Sequence, residues 1–230
     1  MTKIFCDIAD IKLINKFNKK KIVKGFTTNP SLIRKAGAKN YSNYCKKILK
    51  ITNKPISFEV FADDIKKIIN QALIINKWGK QVYVKVPVNN SKGIFLGKVI
   101  KILNKKKIKL NVTAVYSAKQ TEQILNNIDN KTKVIISIFA GRMADKGKDP
   151  IPEFKKSIKL AKNFKNVQIL WASVREPYNY LQAKELGCDI ITSPPQIIEK
   201  IEKFGTSFEK LTIETVKTFL IDSKKSKFKI

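Results

Sequence analysis

The chain of 230 residues contains no histidine, only three arginines and only three cysteines, although its formal net charge is +29. Without an imidazole ring the protein cannot assemble a Ser-His-Asp triad or a Cys-His nucleophile pair. A zinc or iron site is also not expected, because the ligand that such sites use most often is missing. We therefore expect any chemistry to depend on lysine, carboxylate, amide and hydroxyl groups, with no metal and no cofactor.

The cysteines Cys6, Cys45 and Cys188 form an odd set without a CxxC pair. This pattern argues against a disulfide framework and fits a reducing compartment, so we expect a cytoplasmic protein. The first ten residues, MTKIFCDIAD, include two acids and no apolar h-region, so no secretory signal is predicted. No uncharged run approaches the roughly 18 residues that a membrane span needs, so no membrane association is predicted.

The high positive charge suggests nucleic acid as a partner, because basic surfaces bind phosphate polymers by counterion release. However, the lysines are spread along the whole chain, and the arginines that usually read bases and phosphates are nearly absent. We expect no specific nucleic-acid partner, only weak nonspecific association at low salt.

Short β-branched runs alternate with longer stretches of helical periodicity along the chain. Helices are predicted over 64–78, 117–128, 153–164 and 176–187, the last ending in a glycine suited to a helix C-terminus. Eight strands alternating with helices predict a single (β/α)8 TIM barrel over 1–230, with 201–230 as a lysine-rich C-terminal extension of one or two helices. An open doubly wound sheet is the alternative, but its usual glycine-rich phosphate loops are missing. The predicted strands are Ile4–Ile8, Ile22–Phe26, Ile56–Phe61, Val82–Val86, Ile108–Thr113, Val134–Phe139, Val167–Ala172 and Asp189–Thr192.

The segment VYVKVPV (82–88) places a lysine within a valine strand. Because strand side chains alternate, the four valines share one face, and Tyr83, Lys85 and Pro87 share the other. The valine face suits the helix layer, so Lys85 is predicted to point into the barrel. The same alternation and the strand ends predict a polar set at the C-terminal face, where barrel enzymes carry their active sites. Its members are Asp7, Thr27, Thr28, Asn29, Ser57, Glu59, Phe61, Asn111, Thr113, Ser137, Phe139, Ser173 and Arg175.

A desolvated lysine surrounded by carboxylates suggests a particular chemistry. Burial disfavours the ammonium form and frees the amine to attack a carbonyl carbon, which gives a Schiff base that permits carbon–carbon cleavage beside it. The carboxylates would then transfer protons. The alternative is a structural ion pair of Lys85 with Asp7 or Glu59, although a buried pair is weak evidence for stability.

Two of the three arginines, Arg142 and Arg175, follow strands six and seven. A guanidinium group offers a planar, bidentate fork for phosphate, and barrels commonly bind phosphate in their late loops. Together with Ser173 they predict a phosphate site, and the substrate is then a phosphorylated sugar that carries a carbonyl group.

The ordered segments FCDIAD, GFTTNPSL, ISFEVFAD, VYVKVPV, LNVTAVYS, ISIFAGR, ILWASVREP and ITSPP resemble the small transaldolases, a branch of the class I aldolases that includes the fructose-6-phosphate aldolases. The resemblance implies that Lys85 forms the Schiff base. Asp7 would handle the hydroxyl proton in cleavage, and Glu59 would act as acid and base through a water held with Thr113. The remaining implied substrate contacts are Thr28, Asn29, Asn111, Ser137 and Phe139 around the dihydroxyacetone unit, and Arg142, Ser173 and Arg175 around the phosphate.

Three positions distinguish the two branches. Aldolases typically carry glutamine in place of Glu59 and tyrosine in place of Phe139, and lack Asn111, so the resemblance favours a transaldolase of the nonoxidative pentose phosphate pathway. It implies transfer of a dihydroxyacetone unit from sedoheptulose 7-phosphate or fructose 6-phosphate to glyceraldehyde 3-phosphate or erythrose 4-phosphate. A fructose-6-phosphate aldolase and a noncatalytic basic binding protein remain alternatives. The resemblance further implies a homo-oligomer, a pentamer or decamer, linked through the C-terminal helices.

Overall fold

The computed structural model describes residues 1–229 and contains eight parallel strands that close into a barrel. Neighbouring strands pair in chain order, and the first strand also pairs with the last, so the ring of hydrogen bonds is complete. The barrel prediction is confirmed, and the open doubly wound sheet is excluded. The strands are β1 Lys3–Asp7, β2 Val23–Thr27, β3 Ile56–Glu59, β4 Val82–Pro87, β5 Leu110–Val115, β6 Val134–Phe139, β7 Val167–Ala172 and β8 Ile190–Ser193.

Helices surround the barrel and follow each strand. Local sequence explains several of their ends: Asp64 and Ser117 accept backbone N–H groups as N-caps, and Gly187 ends its helix in the left-handed region with a φ of 79°. The four helices predicted from periodicity are present, each somewhat shorter than predicted. The helices are α1 Ile11–Asn18, α2 Pro30–Lys35, α3 Tyr41–Leu49, α4 Ile65–Asn76, α5 Gly97–Lys105, α6 Ala118–Leu125, α7 Ala140–Ala144, α8 Ile151–Ala161, α9 Asn179–Leu186, α10 Pro195–Ile201 and α11 Phe208–Ser226.

The buried apolar side chains form two layers. The larger layer lies between the strands and the helices and includes all four valines of 82–88. The smaller layer fills the barrel interior below the polar set and consists of Phe5, Tyr83, Ile135, Leu170, Ala172 and Ile190. The two faces predicted for β4 are therefore confirmed, and Tyr83 and Lys85 both project into the barrel.

The prediction for Phe61 was wrong. Strand β3 ends at Glu59, and Phe61 lies beyond it with 60% of its surface exposed. Its backbone N–H donates to Gln71 Oε1, and its ring packs edge-on against Tyr41 at 5.2 Å between centroids. Strand β3, and with it the alternation of side chains, therefore ends two residues earlier than the apolar sequence suggests.

The C-terminal region was predicted to form an extension of one or two helices over 201–230, and the described helix α11 lies within that range. Helix α10 starts at Pro195 and belongs to the barrel layer, so one described helix, α11, forms the extension after residue 201. No side chain of α11 is buried. None of the helices within residues 1–229 is long and apolar enough to cross a bilayer.

Candidate active site

A cavity of about 200 Å³ opens at the C-terminal ends of the strands. Most of the predicted site residues line it, and they come from strands or loops all around the barrel, as expected for this fold. The lining residues are Asp7, Thr27, Asn29, Lys85, Thr113, Ser137, Phe139, Arg142, Ala172, Ser173, Arg175 and Thr192.

Lys85 is held at the base of this cavity, and only 7% of its surface is exposed. Its Nζ lies 3.2 Å from Glu59 Oε2 and donates a hydrogen bond of 3.1 Å to the carbonyl oxygen of Thr28. The pairing of β3 with β4 places Glu59 directly beside Lys85 in register. The amine therefore has a carboxylate within proton-transfer distance, which is the arrangement that an activated lysine nucleophile requires.

Glu59 is fixed through its backbone by Tyr41 of helix α3. The Tyr41 hydroxyl donates to the Glu59 carbonyl oxygen at 2.8 Å and accepts the Glu59 N–H at 3.0 Å. One side chain thus satisfies both backbone groups at the end of β3, where the strand ladder stops. The position of the carboxylate relative to Lys85 depends on this contact.

Asp7 ends strand β1 on the other side of the cavity. Its Oδ1 accepts a hydrogen bond of 2.7 Å from Thr27 Oγ1, which is also 2.5 Å from Thr192 Oγ1. Burial raises the pKa of Asp7 above its ordinary value, and the nearby Lys85 ammonium and the Thr27 hydroxyl offset part of this effect. A carboxyl group whose pKa is raised is better suited both to accept and to return a proton.

Asn111 and Ser137 belong to a hydrogen-bond network beneath the cavity. Asn111 is completely buried; its Nδ2 donates to Ser57 Oγ at 3.0 Å, and its Oδ1 accepts from Ser137 Oγ at 2.7 Å. Asn111 therefore orients Ser137, which does line the cavity, and does not itself form the cavity wall. Thr113 Oγ1 is buried without a hydrogen-bond partner among residues 1–229, and Thr113 is also part of the cavity wall.

The three residues of the TTN segment (27–29), where β2 ends, point in different directions. Thr27 and Asn29 line the cavity, whereas Thr28 is buried and its hydroxyl donates to the carbonyl oxygen of Ser57 at 2.8 Å. The side chain of Thr28, predicted to contact the substrate, therefore points away from the cavity. Its contribution to the site is the carbonyl oxygen that binds Lys85 Nζ.

Arg142, Ser173 and Arg175 lie together at the rim of the cavity. The Arg142 guanidinium carbon lies 5.6 Å from the centre of the Phe139 ring. Arg175 forms a two-pronged ion pair with Asp145, with its Nε 3.0 Å from Oδ1 and its Nη2 2.5 Å from Oδ2. This pair lowers the pKa of Asp145 and holds the Arg175 fork beside the cavity.

The backbone of this rim is tightly packed. Ser173 has a φ of 65°, a left-handed conformation that costs energy for a residue with a side chain. Its carbonyl oxygen lies against the Cα of Gly141, where a β-carbon would be only 1.7 Å from that oxygen. The segments that carry Arg142 and Arg175 are thus joined through a contact that only glycine permits.

Sequence reasoning missed Thr192, Tyr41, Asp145 and Gly141, and it did not assign Thr27 a role. Thr27 was already part of the predicted polar set, and side-chain alternation counted from the outward Phe26 would have distinguished it from Thr28, since it places Thr27 inside and Thr28 outside. Asp145 and Tyr41 act through contacts across 30 and 18 residues of chain, for which the sequence gives no local signal.

Comparison with known proteins identifies the family. A family model described as "Transaldolase/Fructose-6-phosphate aldolase" matches residues 4–230. The chain belongs to this family. Among its relatives, a "Probable transaldolase" of Herpetosiphon aurantiacus is 34% identical over 222 residues, covering 96% of this chain and 94% of the relative. A "Probable transaldolase" of Thermoanaerobacter sp. is 33% identical over 229 residues, covering 99% and 100% respectively.

A solved structure supports the fold. The 2-keto 3-deoxygluconate aldolase from Picrophilus torridus aligns with a TM-score of 0.62 and 12% sequence identity, covering all of this chain and 89% of that protein. At this identity the likeness concerns the barrel alone. The family match, which spans nearly the whole chain, is what makes the protein an enzyme of the transaldolase and aldolase family.

Proposed function

We propose that the protein is a transaldolase that works through a Schiff base on Lys85. It would transfer a dihydroxyacetone unit from sedoheptulose 7-phosphate or fructose 6-phosphate to glyceraldehyde 3-phosphate or erythrose 4-phosphate, in the nonoxidative pentose phosphate pathway. The observation that carries the proposal is the buried Lys85 with its Nζ 3.2 Å from the Glu59 carboxylate, at the bottom of a polar cavity. The relatives named as probable transaldolases support the same reaction.

In the first step, the Lys85 amine attacks the ketone carbon of the donor. Glu59 accepts the proton that the ammonium group must lose, since its carboxylate is the nearest base to Nζ. The carbinolamine then loses its oxygen as water, and the proton held by Glu59 protonates this leaving group. Thr113, with its unpaired hydroxyl, is suited to hold a water molecule or the substrate oxygen beside Lys85.

In the second step, the carbon–carbon bond beside the imine breaks. Asp7 takes the proton from the hydroxyl group on the carbon that becomes the released aldehyde, and the bonding electrons pass into the protonated imine to give an enamine. The raised pKa of Asp7 suits this role, because the protonated form survives until the acceptor aldehyde arrives. The enamine then attacks that aldehyde, and Asp7 returns the proton to its oxygen.

Recognition of the phosphate group is assigned to Arg142, Ser173 and Arg175. Both arginines and Ser173 line the cavity at its open end, so a ketose bound to Lys85 can extend its phosphate towards them. Asp145 holds the Nε and Nη2 side of Arg175 and so orients the guanidinium group, which lowers the entropy lost when the remaining N–H donors bind the phosphate. Asn29 and Ser137 are placed to bind sugar hydroxyls, with Asn111 orienting Ser137.

Phe139 favours transfer over the alternative reaction of a fructose-6-phosphate aldolase, which releases free dihydroxyacetone. It lines the cavity and offers no hydroxyl group to protonate the enamine. The three-carbon unit would therefore remain on Lys85 until an acceptor aldehyde binds. Glu59, in place of the glutamine typical of aldolases, supports the same conclusion.

Trapping with borohydride tests the proposal. The protein is incubated with fructose 6-phosphate, reduced, digested and mapped by mass, with Lys85→Met and the half-buried Lys54 as controls. A dihydroxyacetone-sized adduct on Lys85, absent from Lys54 and from the Lys85→Met protein, is the expected result. Unmodified Lys85 together with unconsumed substrate would contradict the Schiff-base mechanism.

We also propose a homo-oligomer joined through helix α11. The described part of this helix exposes Phe208, Leu211, Val216, Phe219 and Leu220, each with more than two fifths of its surface accessible. Exposed apolar patches of this kind mark interaction surfaces. Sedimentation of the full chain against a chain ending at residue 204 would test this, and equal masses would contradict it. A cytoplasmic location remains a prediction.

A further inference from the structure

A second cavity lies at the N-terminal end of the barrel, opposite the candidate active site. Its volume is about 670 Å³, which falls within the range that small-molecule sites occupy. Residues from the beginnings of several strands line it, including Lys3 of β1, Lys24 of β2, Tyr83 of β4 and Gln168 of β7. We call it the lower cavity.

Tyr83 is the first sign that the lower cavity can bind a ligand. It projects into the barrel from the strand that carries Lys85, and only 7% of its surface is exposed. Burial of the side chain raises the pKa of its hydroxyl group, and this hydroxyl forms no hydrogen bond within residues 1–229. A neutral hydroxyl group at a cavity wall, without a protein partner, is available to a ligand.

The charge around the lower cavity is the second sign. Four lysines line it, Lys3, Lys21, Lys24 and Lys133, and no acidic residue is found among the described lining residues. Asp129 and Asp189, which also lie at this end of the barrel, accept backbone N–H groups with their carboxylates. Both carboxylates stay charged, but neither lines the lower cavity, so its described lining carries four cationic side chains and no anionic one.

This positive charge acts on neighbouring side chains. Burial, and then the charge of Lys133, lowers the pKa of Lys109, whose Nζ lies 5.1 Å from the centre of the Tyr83 ring. Burial and Lys24 lower the pKa of Lys54 in the same way. Like charges held this close repel one another, and a bound anion would remove the repulsion.

The lower cavity combines this cationic rim with an apolar wall. Phe5, Ile22 and Pro55 line it together with the Tyr83 ring. We propose that the lower cavity binds a nucleoside polyphosphate. The phosphates contact the lysine rim, the base packs against the apolar wall, and the Tyr83 hydroxyl and the Gln168 amide hydrogen-bond the base.

Calorimetric titration of ATP into the full-length protein at 150 mM salt tests the proposal. Saturable binding with one nucleotide per chain is expected, and Lys24→Gln/Lys133→Gln should weaken it by about tenfold or more. The matched control Lys66→Gln/Lys101→Gln removes the same charge from exposed helix positions and should leave the affinity unchanged. Equal weakening in both variants would mean nonspecific attraction to a basic protein and would overturn the proposal.

Two further titrations separate the remaining explanations. Arg142→Gln/Arg175→Gln should retain nucleotide binding, and its loss would mean that ATP occupies the candidate active site instead. Pyrophosphate should bind more weakly than ATP, and Tyr83→Phe should weaken ATP but leave pyrophosphate unaffected. Equal affinities for ATP and pyrophosphate would overturn the nucleoside part of the assignment. None of these results depends on the transaldolase reaction.

Discussion

Replacement of Gly141 by alanine should uncouple phosphate recognition from catalysis. The new methyl group would lie 1.7 Å from the carbonyl oxygen of Ser173 and 3.0 Å from Cγ of Arg175. The clash is with backbone, so a rotamer change cannot relieve it. The segment from Ser173 to Arg175 must move away from helix α7, and the two phosphate-binding arginines must separate.

The size of the effect follows from this distance. The Ser173 carbonyl must move by more than about 1 Å before a β-carbon can be accommodated, and a misplacement of about 1 Å can cost about 10²-fold in rate. A loss of about 100-fold corresponds to about 2.7 kcal/mol of transition-state stabilisation. Lys85 and Glu59 lie on other strands, so their contact should survive.

The assay compares kcat/KM for fructose 6-phosphate with that for fructose. Gly141→Ala should lower the first value by about 100-fold and change the second little, while borohydride still traps an adduct on Lys85. Gly97→Ala is the matched control: its new methyl group would meet the movable ring of Phe95 at 2.4 Å, at the start of α5. An equal loss for both substrates, or no loss for either, would refute the reasoning.

Three further predictions concern the catalytic groups. Phe139→Tyr should increase release of free dihydroxyacetone, because a hydroxyl group can then protonate the enamine; an acceptor-free assay that finds no increase counts against the role of Phe139. Tyr41→Phe should lower kcat more than it raises KM, because the Glu59 backbone loses its hydrogen bonds to the Tyr41 hydroxyl, at a cost of about 1–3 kcal/mol. An unchanged kcat with only a lower melting temperature would make Tyr41 purely structural. Asp7→Asn should abolish transfer yet stabilise the protein at neutral pH, because a raised pKa means that folding disfavours the charged carboxylate. In urea titrations this gain should grow as the pH rises above 3.8, the ordinary pKa of the group, and disappear below it; a loss of stability at pH 7 would contradict the sign.

Side-chain alternation predicted the inward face of the barrel well, because adjacent parallel strands pair in register. Lys85 pairs with Glu59 on one side and with Asn111 on the other, so polar side chains that face inward on neighbouring strands necessarily lie close together in the barrel. Alternation does not reveal depth along the barrel. Asn111 therefore appeared to be a substrate contact, although it lies beneath the cavity and is satisfied by serine hydroxyls.

The errors in the prediction have local physical causes. Thr28 was named from the family resemblance, whereas alternation along β2 places Thr27 inside the barrel and Thr28 outside it. Phe61 follows an apolar strand in the sequence, but its position depends on Tyr41 and Gln71, which belong to helices. The Arg175–Asp145 pair joins the segments that follow β6 and β7, which the pairing of these two strands brings together.

The pairing of β1 with β8 has a consequence for synthesis of the chain. Lys3 lies beside Ile190 in that pairing, so one edge of the first strand has no partner until the last strand has left the ribosome. At about 5–20 residues per second, this delay is roughly 10–40 s. During that time the nascent chain exposes an unpaired apolar edge, which can add strands from other chains. Depletion of chaperones should therefore reduce the yield of this protein more than a lower inducer concentration does. Synonymous codons that slow translation between β1 and β8 should increase aggregation.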